Sequence, residues 1–247
     1  MSGTKSHFPK VQATDALIVA HGQPSDPEPA ERALAQLTAR VQACLPEMRL
    51  GSATMANGNR LEEALTSLPT DGLVYPLFMA NGWFVRTNLR NRLGDGAYRV
   101  LPPLGLDPAL PELAAGLVRA SLKSKDFQPQ QTQLLIAAHG SAHGQAAADS
   151  ARAFASALSA LLPMAKIESG FVEQAPFLPE ISREIDAPCL CLPFFAMDGD
   201  HMKEDVRQGL GDADFAGHIL PALGQADDIP ELIANALRAK MTEREAA

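Results

Sequence analysis

The chain repeats itself, and this internal similarity constrains its fold more than any single motif does. Residues 17–22 have the sequence LIVAHG and residues 135–140 have the sequence LIAAHG, an offset of 118. Two later pairs of segments match in the same order, at offsets of 117 and 119: residues 75–95 with 192–212, and residues 104–117 with 223–236. Three matches in one order predict that the chain contains two copies of one module.

The boundary between the copies is predicted within residues 121–133, a polar stretch that contains Pro129 and has no amphipathic period. It divides the 247 residues into 1–126 and 127–247, and each part is large enough for one domain. A terminal helix of either copy is able to pack onto the other copy, so the exact residue at which the first copy ends stays open.

Each copy alternates short apolar runs with longer amphipathic stretches, a pattern typical of strand–helix units. The runs Ala16–Ala20 and Leu134–Ala138 are apolar throughout, as expected of strands buried on both faces of a parallel sheet. In residues 29–45 and 146–162, apolar residues recur at the spacing of a helix that packs along one face. Two later apolar runs are again predicted strands: Leu73–Met79 and Cys189–Met197. We therefore expect an α/β protein made of two tandem, doubly wound parallel-sheet domains.

Composition excludes several classes of protein. The net charge of −8 has the wrong sign for binding a nucleic-acid backbone, and 5% aromatic residues argue against a platform that stacks bases. No apolar run approaches the roughly 20 residues of a membrane span. Three cysteines are too few for a disulfide scaffold, which favours a reducing cytoplasm. We expect a cytoplasmic protein that binds neither nucleic acid nor membrane.

Two histidines and one glutamate follow predicted strands of the second copy. His139 follows LLIAA, Glu173 follows the run Ile167–Val172, and His201 follows Cys189–Met197. Because ligands of doubly wound folds bind at the carboxyl ends of the strands, these side chains are expected to converge. Two imidazoles and a carboxylate form an open ligand set for a divalent transition metal. Taken alone, each of the three is more often an ordinary turn or cap residue.

The first copy keeps only part of this set. His21 corresponds to His139, but Phe84 stands at the place of His201, and Ala56 or a near neighbour stands at the place of Glu173. If the histidine and the glutamate that are missing from the first copy were needed only for the fold, both copies would need them. Their loss from one copy fits one site retained and its duplicate abandoned, although ordinary drift gives the same pattern.

These motifs carry a family resemblance. AHGS at 138–141, the glutamate at 173 and PFF-x-x-x-G-x-H-x-x-x-D at 193–205 resemble the CbiX/SirB-type chelatases. Those enzymes insert cobalt or iron into sirohydrochlorin on the routes to cobalamin and siroheme. The resemblance implies a ferrochelatase-type architecture with a cleft between two similar domains. It also implies that His139 and His201 hold the metal, with Glu173 as a third ligand or proton acceptor.

The expected chemistry suits these residue types. Metal insertion needs a site that binds the ion reversibly and a group that takes up two pyrrole N–H protons. Histidine, with an unperturbed pKa of about 6.5, is largely neutral at pH 7 and either ligates a metal or accepts a proton. Asp205, four residues after His201, either orients that imidazole or is an ordinary acid in the first turn of a helix. In the family's two-domain members we expect the complete site in the first half, whereas here it stands in the second.

The first copy offers groups for a polycarboxylate substrate. Arg86 and Arg90 lie four residues apart, with Arg92 nearby, and arginine pairs with carboxylates through two parallel hydrogen bonds. We expect Arg86 and Arg90 to hold tetrapyrrole carboxylates while Trp83 and Phe84 pack against the ring. The alternative is a solvated helix face beside two core aromatics.

Together these features predict a chelatase whose substrates are a tetrapyrrole and Co2+ or Fe2+, with no nucleotide. A non-catalytic metal or tetrapyrrole carrier on the same fold is the alternative, and histidines with an unrelated role are a third. The charge is uneven: residues 1–126 carry 13 basic and 12 acidic groups, and residues 127–247 carry 8 and 17. The negative potential of the second half would attract a divalent cation.

Overall fold

The computed structural model describes residues 14–94, 98–186, 188–198 and 205–245. Within these ranges each half of the chain forms one four-stranded parallel sheet, with the strand orders β2-β1-β3-β4 and β6-β5-β7-β8. The strands are β1 (Ala16–Ala20), β2 (Leu50–Thr54), β3 (Gly72–Pro76), β4 (Tyr98–Val100), β5 (Gln133–Ala138), β6 (Lys166–Phe171), β7 (Cys189–Pro193) and β8 (His218–Ile219). The equal strand order of the two sheets confirms the predicted tandem α/β duplication.

Helices connect the strands and cover both faces of each sheet. The α-helices are α1 (Pro27–Cys44), α2 (Arg60–Leu65), α3 (Arg90–Leu93), α4 (Leu110–Lys125), α5 (Ala146–Leu161), α6 (Leu178–Arg183), α7 (Arg207–Gly211) and α8 (Ile229–Glu245). A π-helical turn, Phe84–Leu89, runs directly into α3. Since α4 extends to Lys125, the first residues of the predicted boundary stretch are helical rather than irregular. The division at 126/127 itself stays a prediction.

Two predicted strands end earlier than their apolar runs suggested. β3 ends at Pro76 and β7 ends at Pro193, residues that have no backbone N–H to donate to a neighbouring strand. One more hydrogen bond follows each proline: Leu77 N–H donates to the Val19 carbonyl and Phe194 N–H to the Ala137 carbonyl, both at 2.7 Å. The chain then turns away at the carboxyl edge of each sheet.

The alternating side chains of each sheet enter different apolar clusters. One continuous core contains the inward faces of both sheets and the buried faces of α1, α4, α5 and α8. Two smaller clusters lie on the outward faces, one under α2 and α3 and the other under α6 and α7. In the described part of the chain, α1, α4, α5 and α8 therefore lie between the two sheets.

The helices α4 and α8 each pack onto a helix of the opposite half, α4 on α5 and α8 on α1. Two arginines at corresponding positions of α4 and α8 form hydrogen bonds across these contacts. Arg119 of α4 donates to the carbonyl of Leu161, the last residue of α5, at 3.1 Å. Arg238 of α8 donates to the carbonyl of Cys44, the last residue of α1, at 2.8 Å. A cation at a helix carboxyl end satisfies a carbonyl that the helix leaves unpaired and complements its dipole.

Two cysteines of β7 face the outer cluster, as strand alternation requires. Cys189 and Cys191 are buried, while Leu190 between them faces the central core. Burial raises the pKa of the Cys189 thiol to about 12 and raises that of Cys191 further, and both side chains pack in the outer apolar cluster. Among the described residues no helix is long and apolar enough to cross a membrane.

Candidate metal-binding site

His139 and Glu173 leave the carboxyl ends of two adjacent strands. The register pairs Ala138 of β5 with Phe171 of β6, and the pairing continues for one step because the Glu173 N–H donates to the His139 carbonyl at 2.9 Å. This bond holds the two side chains close together at the sheet edge. Nδ1 of His139 lies 3.6 Å from Oε2 of Glu173, and both side chains are partly exposed.

Two oxygens lie close to one ring nitrogen of His139. Nδ1 faces two oxygens that only accept hydrogen bonds: the carboxylate of Glu173 at 3.6 Å and the carbonyl of Gly140 at 3.3 Å. Of these two, only the Gly140 carbonyl is within hydrogen-bond distance of Nδ1, and an N–H at Nδ1 would donate to it. An oxygen acceptor beside one ring nitrogen is a common feature of histidines that bind a metal through the other nitrogen.

The loop after His139 has a backbone shape that requires glycine. Gly140 has a φ of +71°, a conformation that residues with a Cβ rarely adopt. A Cβ at this position would also lie 2.8 Å from Cγ of Gln174 and 3.1 Å from Cβ of Phe171. The ring of Phe195, just past β7, lies 6.5 Å from that of His139.

The third predicted ligand, His201, lies outside the described residues. Asp205 is half-buried and helical, directly ahead of α7. Among the residues that the structure describes, no group of three or more His, Cys, Asp or Glu side chains is close enough to hold a metal ion. The described part of the site is therefore the pair His139 and Glu173.

The first half repeats the backbone of this site with different side chains. The N–H of Ala56 donates to the carbonyl of His21 at 2.8 Å, so Ala56 is the counterpart of Glu173. Nδ1 of His21 lies 2.8 Å from the Gly22 carbonyl. The ring of Phe84, the sequence counterpart of His201, lies edge-on to His21 with centroids 4.2 Å apart. In this half an aromatic ring and a methyl group stand at the positions that carry histidine and glutamate in the second half.

The arginines of the first half separate into two kinds. Arg86 and Arg90 are exposed, and within the described ranges their side chains make no hydrogen bond or ion pair. Arg92 instead binds Glu62 through two hydrogen bonds of 2.7 and 2.6 Å and also donates to the Met55 carbonyl. Arg92 is thus committed to the fold.

Two exposed aromatic rings lie beside Arg86 and Arg90. Trp83 is 58% exposed and Phe84 is 42% exposed, and their rings meet edge to face with centroids 5.1 Å apart. The predicted alternative, a pair of core aromatics, is therefore wrong. Large exposed apolar side chains at a sheet edge are typical of a binding surface.

Two residues of the site escaped the sequence interpretation. Gln174 supports the loop after His139, and Phe195 lies near the imidazole ring. The position of Gln174 directly after Glu173 is the one available signal, but nothing in its residue type distinguishes it from an ordinary loop residue. Phe195 belongs to the apolar run Cys189–Met197, of which only Cys189–Pro193 forms the strand. The sequence of such a run does not show at which residue the strand ends.

Comparison with known proteins, by sequence profile and by structure, points to one family. The sequence profile of the CbiX family matches residues 15–121 and 133–240. A solved CbiX, named as the terminal enzyme for biosynthesis of siroheme in denitrifying bacteria, is 39% identical, with a TM-score of 0.83 over 91% of this chain and 98% of that one. No match was found among curated protein sequences.

Two more distant structures share the fold. SirB from Bacillus subtilis with Fe3+ is 13% identical, with a TM-score of 0.73 over 94% of this chain and 96% of that chain. DR2241 from Deinococcus radiodurans, a multi-domain protein with structural similarity to chelatases, is 22% identical, with a TM-score of 0.69 over 92% of this chain and 55% of that chain. With both halves matched by one family profile and a 39% identical relative aligned over nearly its whole length, this chain belongs to the CbiX family of chelatases.

Proposed function

We propose that this protein is a chelatase that inserts a divalent metal into a sirohydrochlorin-type tetrapyrrole, in the cleft between its two halves. The observation that carries the proposal is the approach of Glu173 to Nδ1 of His139 at the carboxyl edge of the second sheet. The 39% identical CbiX supports the same reaction class through its named place in siroheme biosynthesis. That relative favours iron over cobalt as the metal and siroheme over cobalamin as the pathway, although imidazole and carboxylate ligands accept both metals.

In this proposal His139 and His201 bind the incoming metal ion, each through one ring nitrogen. The internal alignment supports the pairing, because Phe84, the counterpart of His201, contacts the counterpart of His139 in the first half. Imidazole binds a divalent ion without the charge of a thiolate, so the ion is released readily to the ring nitrogens. The excess of acidic groups in residues 127–247 attracts the cation to this half.

Glu173 is proposed to be both the support of His139 and a proton acceptor. Insertion replaces two pyrrole N–H protons by one M2+ ion, so the reaction needs a base beside the ring. The Glu173 side chain is 46% exposed and is therefore accessible to a bound ring. Its position behind Nδ1 favours this role over that of a third metal ligand.

The first half is proposed to hold the tetrapyrrole. The exposed rings of Trp83 and Phe84 offer an apolar surface for the macrocycle, and Arg86 and Arg90 offer cations for its carboxylates. The three free thiols fit a reducing compartment such as the cytoplasm.

The decisive experiment measures metal insertion under anaerobic conditions. Sirohydrochlorin is mixed with Co2+ or Fe2+, and the change in its absorption is followed with and without protein. We expect the protein to accelerate insertion, and we expect His139→Ala or His201→Ala to abolish that gain. His143→Ala, an exposed residue of the same loop, is the matched control. Ring or metal binding without acceleration would support the carrier instead, and full activity of His139→Ala would refute the site.

A further inference from the structure

The side chain of Gln174 joins the two loops that carry His139 and Glu173. Its Oε1 accepts the backbone N–H of Ser141 at 2.8 Å, and its Nε2 donates to Oε1 of Gln145 at 3.3 Å. The amide of Gln174 therefore binds the loop after His139 at both its beginning and its end.

Gln174 also packs directly on the backbone next to His139. A Cβ on Gly140 would lie 2.8 Å from Cγ and 3.1 Å from Oε1 of Gln174. The positive φ of Gly140 and the absence of its side chain thus provide the space that the glutamine amide fills. Replacing this amide would leave the backbone beside His139 without its packing partner and the Ser141 N–H without its acceptor.

These contacts add to the backbone hydrogen bonds that already join the two strand ends. Backbone hydrogen bonds from the Val172 N–H to the Ala138 carbonyl and from the Glu173 N–H to the His139 carbonyl join the strand ends, and neither reaches the loop beyond His139. Gln174 adds a second attachment on the far side of Gly140. His139 therefore has a backbone attachment on each side, and its Nδ1 lies 3.6 Å from the carboxylate of Glu173.

The first half uses a different support at this place. Gly22, the counterpart of Gly140, packs against Thr54, and within the described residues the side chain of Asn57, the counterpart of Gln174, makes no hydrogen bond. The loop that follows β2 is held instead by Arg92, which donates to the carbonyls of Met55 and Gly58. The glutamine link is therefore specific to the half that carries the candidate metal ligands.

We propose that Gln174 is a positioning residue that fixes His139 against Glu173 for metal binding, an inference that rests on the proposed function. Residues that orient metal ligands typically change metal affinity by roughly 10- to 100-fold when they are replaced. Gln174→Met keeps the length of the side chain over Gly140 and removes both hydrogen bonds. We expect it to weaken Co2+ binding at least about tenfold and to raise KM for the metal while KM for the tetrapyrrole is unchanged.

The experiment titrates Co2+ into the full-length protein and into three variants. Asn57→Met is the matched control in the first half, and we expect it to bind Co2+ like the parent protein. His139→Ala reports whether the observed binding belongs to the proposed site. Hydrogen exchange of the Ser141 amide, which we expect to be faster in Gln174→Met, reports independently whether the loop has been released.

The outcomes separate this inference from the proposed function. Faster exchange at Ser141 with weaker Co2+ binding, at a melting temperature close to that of the parent, supports the positioning role. Faster exchange with unchanged Co2+ binding would overturn it and leave the proposed function standing. Unchanged exchange would show that Gln174 does not hold the loop and would also overturn it. If His139→Ala binds Co2+ as tightly as the parent protein, both proposals fail.

Discussion

Phe84 lies edge-on against His21, with 4.2 Å between the ring centroids and 84° between the ring planes. The aligned residues in the second half are His201 and His139. The backbone around His21 matches that around His139, including the hydrogen bond from the residue aligned with Glu173. The first half therefore keeps this backbone and lacks the two predicted ligand side chains that correspond to His201 and Glu173.

Restoring those side chains should restore the site. In Ala56→Glu combined with Phe84→His, the first half regains the full predicted ligand set around His21. We expect the double variant to bind a second Co2+ ion per chain, as measured by titration with the ion, and we expect His21→Ala to remove it. An unchanged number of ions bound would show that the two halves differ in more than these side chains.

Removing the exposed side chains of Arg86 and Arg90 should weaken tetrapyrrole binding without affecting metal binding. Charge-assisted hydrogen bonds contribute about 1.5–3 kcal/mol each, and the exposure of Arg86 and Arg90 places them at the low end. For Arg86→Ala combined with Arg90→Ala we expect Kd for the tetrapyrrole to rise at least about tenfold, with Co2+ binding unchanged. Arg32→Ala with Arg60→Ala removes the same charge from exposed positions elsewhere in the half and serves as the control. Equal effects in the two double variants would mean that only net charge matters.

The pair Glu62 and Arg92 should contribute to stability only when the glutamate is ionised. The two hydrogen bonds from Arg92 hold the pKa of Glu62 below its usual value. This contribution is fully present above the unfolded-state pKa and is lost as the pH falls through the lower folded-state pKa.

Glu62→Gln should therefore lower the free energy of unfolding by about 0.5–1 kcal/mol at pH 7, a small effect because the Glu62 side chain is 46% exposed. We expect the difference from the parent protein to shrink between about pH 5 and 3, as followed by denaturant titration at each pH. Glu63→Gln, whose nearest cation is 3.9 Å away, is the control and should show a smaller difference. A difference that is constant with pH would contradict the assignment.

Because α4 packs on α5 and α8 packs on α1, the two halves should unfold together. Ile233 of α8 is fully buried in the central core, where α8 packs on α1 of the other half. Ile233→Ala should cost about 2–5 kcal/mol and lower the melting temperature in one cooperative transition that changes the signals of both halves. Ala239→Ser, at an exposed position of α8, is the control. Two separate transitions, only one of them shifted, would show that the halves are independent.

Much of the local structure follows from the sequence alone. Runs such as Ala16–Ala20 are apolar at every position because a parallel strand between two helical layers has no face toward water. The long helices α1 and α5 follow from their apolar period, and the duplication follows from the repeated segments. His139 and Glu173 could be placed at one sheet edge because the carboxyl ends of parallel strands lie together.

Three features needed the tertiary structure. Trp83 is as apolar as any core residue, and only the packing shows that it faces outward. Arg92 and Arg90 have the same chemistry, but the position of Glu62 commits one of them to the fold. Gln174 becomes part of the site only because the loop after Gly140 folds over its amide.

The sequence by itself determined the duplication and the class of fold and supplied the candidate metal ligands, because these depend on local periodicity and on the order of segments along the chain. The tertiary structure decided that α4 and α8 pack across the halves, that Nδ1 of His139 lies beside Glu173, and which arginines stay exposed. Those properties depend on contacts between residues distant in the chain, and the free energy of such contacts is set by the packing of the whole molecule rather than by any one segment.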